Sequence, residues 1–153
     1  MNARKLWSGA TVAGLAIAGV FAATRPALSQ APEMVVYKRP ECGCCGDWIE
    51  HVKAVGFRVT VRNRSDLIAI KDRYGITPAL MSCHTAVVGG YAVEGHVPAD
   101  LIQRLLRERP KAAGLAVPGM PLGSPGMEAD RTQPYDVLLF TADGRTRVYR
   151  HYP

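Results

Sequence analysis

Three of the four cysteines fall within four residues, Cys42-Gly43-Cys44-Cys45, and the fourth, Cys83, is followed directly by His84. Structural staples usually tie distant segments, because closing a longer loop constrains the unfolded chain more. A cluster this tight therefore reads as a site. The thiolate is both the form that ligates metal and the form that attacks a disulfide, so two chemistries are open. A dithiol oxidoreductase needs Cys42 and Cys45 only, and Cys44 would compete with them through pairings such as Cys42–Cys44. A metal site has the opposite preference, since each further soft donor converging from one loop raises affinity. Gly43 and Gly46 would let the backbone fold closely round an ion.

Cys83, His84 and the neighbouring Met81 form a second group of candidate donors. Thiolate and thioether select copper(I), whereas thiolate with imidazole also suits zinc. Cys83 reads equally as a buried apolar residue or as a disulfide partner of the loop, and four cysteines allow three pairings. Met120 and Met127 sit in Pro-Gly-Met-Pro and Pro-Gly-Met-Glu, where they are candidate copper donors, caps over the cluster, or core fillers. His96 reads as a donor that braces a ligand or as a helix-start residue, the second being preferred. His51 reads as a solvated residue in mid-helix, and Trp48 as a core or rim residue.

The elements that must position these residues follow from periodicity. Met34 to Tyr37 reads as a strand ended by Pro40. Gly46 to Gly56 reads as a helix, with Trp48, Ile49, Val52 and Val55 at three- and four-residue spacings. Phe57 to Val61 alternates as a second strand. Ser65 is the expected N-cap of a helix running to Tyr74. Ile76 to Met81 reads as a third strand with Pro78 at its entrance. Thr85 to Val88 and Tyr91 to Val93 flank Gly89-Gly90 as a hairpin. Pro98 opens a helix over Ala99 to Arg107, with Leu101, Ile102, Leu105 and Leu106 as its stripe. Residues 110–134 carry prolines at 110, 118, 121, 125 and 134 and are expected to hold no regular structure, and 135–150 closes the chain as a hairpin.

A cysteine motif where a first strand meets a first helix, followed by strand, helix, hairpin and helix, predicts an α/β fold. The expected architecture is a thioredoxin-like mixed sheet with flanking helices, a C-terminal loop and a β-hairpin extension. A helix N-terminus presents unpaired N–H groups and a positive dipole end, both of which favour thiolate. Pro78 stands where such folds carry a cis-proline, the alternative being an ordinary trans proline at a strand edge.

The beginning of the chain is of another kind. Arg4 and Lys5 precede an apolar run from Ala10 to Ala23, and small residues follow at Ala27 and Ser29. This is the pattern of a signal peptide over 1–29, which leaves 30–153 as the expected domain and the periplasm as its location, with no membrane insertion after cleavage. Arg4, Lys5 and Arg25 are then lost from the 19 basic residues, leaving 16 against 13 acidic ones. The remaining basic residues are scattered and not interleaved with aromatics, so a nucleic-acid partner is not indicated.

Taken together, the stretches 37–48, 75–78, 82–85, 93–98 and 116–127 resemble the CopG-type family, small exported metal-binding proteins associated with bacterial copper resistance. The motifs carrying the likeness are Glu41-Cys-Gly-Cys-Cys-Gly-Asp-Trp48, Ser82-Cys-His-Thr85 and the two Pro-Gly-Met segments. The resemblance implies a thioredoxin-like fold and copper binding at Cys42, Cys44 and Cys45, with Cys83 and His84 as companions, and a redox role toward copper. The expected function is sequestration of copper(I) or its handover to another periplasmic copper protein. A thiol–disulfide or copper oxidoreductase is the alternative.

Overall fold

The computed structural model describes residues 31–153, so the signal-peptide reading of 1–29 lies outside the described residues. Seven strands form one mixed sheet in the order β2-β1-β3-β4-β5-β6-β7. The strands are β1 (Glu33–Lys38), β2 (Arg58–Asn63), β3 (His84–Val88), β4 (Tyr91–Glu94), β5 (Gly114–Ala116), β6 (Tyr135–Phe140) and β7 (Thr146–Tyr152). The helices are α1 (Gly43–Ala54), α2 (Ile68–Arg73) and α3 (Ala99–Glu108). The expected α/β class and the order of its first four elements are those found. β1 and β2 pair in parallel across α1, while β3 and β4 form the antiparallel hairpin turned at Gly89-Gly90.

The period-two alternation of the strands sorts their side chains into two cores. Met34, Val36, Ala86, Val88, Val93, Leu115 and Leu139 face the larger one, which also receives Trp48, Ile49 and Val52 from α1 and Leu101, Ile102 and Leu105 from α3. Ala92, Ala116 and Phe140 face the other way, against Ile76 and Leu80. His84 shares the parity of Ala86 and so points toward α1. Its neighbour Thr85, opposite Glu94 in the register, points toward α2.

Four expectations are corrected. First, α1 begins at Gly43, three residues before the expected start, so Cys44 and Cys45 lie in its first turn and Cys42 is its N-cap. Second, Ser65 does not cap α2. That short helix starts after Leu67, and Asp66 Oδ1 accepts from the Ile68 N–H at 2.8 Å. Third, Ile76 to Met81 is not a strand. Pro78 opens a 3-10 turn, Pro78–Leu80, and the strand begins only at His84. Proline suits a first helical position because the N–H it lacks has no partner there anyway. The Thr77–Pro78 bond is trans, like every other peptide bond among the described residues.

Fourth, the Gly/Pro-rich segment 110–134 is not devoid of regular structure. Gly114–Ala116 is a fully buried strand joining β4 to the C-terminal hairpin. A Cβ built on Gly114 would stand 1.8 Å from the Ala92 carbonyl oxygen, so glycine is what lets these two strands approach. The expected C-terminal hairpin is present and extends the same sheet as β6 and β7.

Candidate metal centre

The site grows from the turn between β1 and α1. Lys38 Nζ donates to the carbonyls of Arg39, Pro40 and Cys42, at 2.8, 3.2 and 3.3 Å, and folds the turn back on itself. α1 has no side-chain cap and no acidic residue in its first turn, so its N–H groups face the cysteines. Cys45, Trp48, Ile49 and Val52 follow at helical spacing and bury one face, which rotates Cys44 outward and Cys45 inward. Cys42 and Cys45 are joined in a disulfide, and Cys44 and Cys83 are free thiols. The sulfurs of Cys42 and Cys44 are 3.7 Å apart.

Cys83 arrives from the other half of the sequence, in the last residue before β3. The sulfurs of Cys42, Cys44, Cys45 and Cys83 all lie within 4.8 Å of one another. Cys83 also belongs to a second donor group with His84 and His96, bounded by the same distance. Its Sγ is 3.4 Å from His84 Nδ1 and 3.1 Å from His96 Nε2. Cys83 is thus common to an all-sulfur set and a sulfur–imidazole set.

The imidazoles are held in ligand-ready form. Trp48 packs its ring 4.3 Å from that of His84 and donates its indole N–H to the Val97 carbonyl at 2.9 Å. His96 Nδ1 is 2.8 Å from the Pro125 carbonyl, to which it donates, leaving the Nε2 lone pair toward Cys83. Bracing one ring nitrogen through a carbonyl is how metal-ligating histidines are usually oriented. Burial, and after it the nearby His96 and Lys71, holds the His84 imidazole well below its ordinary pKa. Burial lowers that of His96 as well. Both therefore stay neutral, the form that coordinates. The Cys83 thiol is pushed up to about 11, first by burial and then by the neighbouring Cys44.

A soft ion fits this donor set. His84 is fully buried, and its Nε2 finds no hydrogen-bond partner among the described residues. The nitrogen of that ring that faces the Cys83 thiol is Nδ1, so Cys83 Sγ, His84 Nδ1 and His96 Nε2 are the donors a soft ion would meet there. A cleft of about 550 Å³ opens onto the sulfurs and is lined by Cys42, Cys44, Lys71, Met81, Cys83 and Met120.

The two loop methionines part company. Met120 is 50 % exposed at the rim of the cleft, whereas Met127 is half-buried in the loop and does not line it. The loop itself is a wall of the site. A Cβ on Gly126, whose φ is +80°, would fall 2.6 Å from the Trp48 nitrogen and 3.0 Å from the Cys44 carbonyl oxygen. The loop thus lies directly on the first turn of α1.

Two residues were misread from sequence. His96 is a site residue and not merely a helix start. No apolar run marked it in the sequence, since Glu94 and Gly95 stand directly before it. His51 is not a solvated residue. It is half-buried, and its Nε2 accepts from the Ala99 N–H at 3.1 Å, capping α3.

Residues 80–127 match the model of a family described as "Protein of unknown function, DUF411". No curated protein matches the sequence. Two solved structures do. "Copper resistance protein copG- Form 2" is 48% identical, with a TM-score of 0.76, covering 80% of this chain and 99% of that one. "Copper resistance protein copG- Form 1" is 48% identical, with a TM-score of 0.75, covering 79% of this chain and 97% of that one. Identity of that order, sustained over nearly the whole of the related structures, places the chain in the CopG family of copper resistance proteins.

Proposed function

We propose that this protein is a periplasmic copper(I)-binding protein of copper resistance or homeostasis, exported by a cleaved leader over 1–29. Cys42, Cys44, Cys45 and Cys83 would hold the ion, with His84 as companion and Met81, Met120 and Met127 as further candidate donors. The observation that carries this reading is the convergence of four sulfurs from two distant segments within 4.8 Å of one another. With the Cys42–Cys45 disulfide reduced, four thiolates crowded to that degree favour copper(I), while the Cys83, His84 and His96 set also suits zinc. The cleft leaves Cys42, Cys44 and Cys83 approachable from outside, which supports handover to another periplasmic copper protein by ligand exchange. Anaerobic titration of the reduced mature protein against a chromophoric copper(I) chelator tests the reading. Withdrawal of copper(I) from the chelator is expected, and no withdrawal would end it.

The Cys42–Cys45 disulfide favours a second reading, a thiol–disulfide or copper oxidoreductase. Reducing that bond consumes two electrons and two protons, which a substrate dithiol supplies on becoming a disulfide. Exchange activity should vanish in C42S and in C45S and persist in C44S. Activity that survives the loss of both Cys42 and Cys45 would exclude this reading.

A further inference from the structure

We propose that the buried Lys71–Glu94 pair is a positioning device that sets Cys83 and His84 against the α1 cysteines, an assignment that rests on the metal-binding reading above. Lys71 is 4 % exposed and Glu94 is fully buried, on the face of the sheet opposite α1. They form an ion pair through Lys71 Nζ and Glu94 Oε1. The pair holds the chain on both sides of the two donors. On the near side, Glu94 Oε1 accepts from the Ser82 N–H at 2.6 Å, and Lys71 Nζ donates to the Ser82 carbonyl at 3.2 Å. On the far side, the Thr85 hydroxyl donates to Glu94 Oε2 at 2.6 Å and accepts from Lys71 Nζ at 3.2 Å. Residues 82 and 85 are gripped, and Cys83 and His84 are what lies between them.

The network is closed. All three ammonium protons of Lys71 are used, on Glu94, Ser82 and Thr85. It also reaches the third donor of the sulfur–imidazole set, since Gly95, between Glu94 and His96, donates its N–H to the His84 carbonyl at 3.0 Å. Stability alone does not account for such a pair, because well-packed apolar residues commonly replace a buried ion pair at no loss. What apolar residues cannot do is hold one residue by both its backbone N–H and its C=O. That constraint is what a sulfur needs if it must meet three others from a different segment.

The test uses the apolar double variant K71M/E94L, which leaves no charge stranded, together with T85V and T85S. Copper(I) affinity is read by chelator competition. Cys83 is read without metal, by its alkylation rate in a C44S background with the Cys42–Cys45 disulfide intact, where it is the one free thiol. K71M/E94L should melt cooperatively at near the parental temperature, yet bind copper(I) about 10–100-fold more weakly, as loss of a ligand-orienting partner does. Its Cys83 should react roughly tenfold faster, as a locally loosened segment does. T85V should move both readings the same way and T85S should restore them.

A folded K71M/E94L with parental affinity and parental Cys83 reactivity overturns the proposal. If the double variant does not fold, a T85V protein unchanged in both readings overturns it. Should the parent take up no copper(I), the metal reading fails, and the alkylation rates still decide whether the pair positions Cys83.

Discussion

Cys83 is the one side chain common to both donor groups, so its loss should be the most costly of the four cysteines. C44S should weaken copper(I) binding by more than the ~10–100-fold typical of orienting partners, and C83S should weaken it further. Chelator competition on the reduced proteins ranks them, and an equal loss in the two variants would contradict the sharing of Cys83. Its raised pKa adds a pH signature. The thiol keeps its proton up to about pH 11, and binding must displace that proton. Apparent affinity should therefore rise with pH, by about tenfold per unit for each proton displaced. The C83S protein should show a shallower slope over pH 6.5 to 8.5. His84 and His96 contribute little to that slope, since burial already holds both neutral.

At the scale of elements, the site is a seam between α1, the start of β3 and the loop that carries Gly126. G126A tests the seam. A methyl group there meets backbone atoms of Trp48 and Cys44, and the φ of +80° disfavours any side chain. The variant should lose about 1–3 kcal/mol of stability and should release His96 from Pro125, read as a lower urea midpoint and weaker copper(I) binding together. W48F should cost about 0.5–1.5 kcal/mol through the lost bond to Val97.

The helices that frame the seam were legible where their apolar spacing is strong, as at Trp48, Ile49 and Val52. The start of α1 was not, because Gly43 and Cys44 have weak helix preference and no capping side chain marks the boundary. β5 was invisible for another reason. Gly114-Leu-Ala116 is too short to show an alternation, and only the partner strands on either side make it a strand. Lys71 reads in sequence as one more exposed lysine of a short helix, and nothing local reveals that a glutamate 23 residues on draws it inside.

Over the whole molecule, three histidines share one behaviour. His51, His84 and His96 all have pKa values lowered by burial. In the unfolded chain a histidine takes up a proton near pH 6.5. Below that pH the unfolded state binds protons that the native state refuses, so stability falls as the solution is acidified. The metal-free protein should show a lower urea midpoint at pH 5.5 than at pH 7.5, with an unchanged dependence on denaturant. A midpoint that holds or rises on acidification would show that these rings are not kept neutral in the fold.

The donors come from positions 42 to 96, and the brace on His96 comes from Pro125. A growing polypeptide therefore carries no finished donor set until about 125 residues have emerged and folded back on one another. The complete donor set is therefore a property of the folded chain and not of any shorter stretch of it.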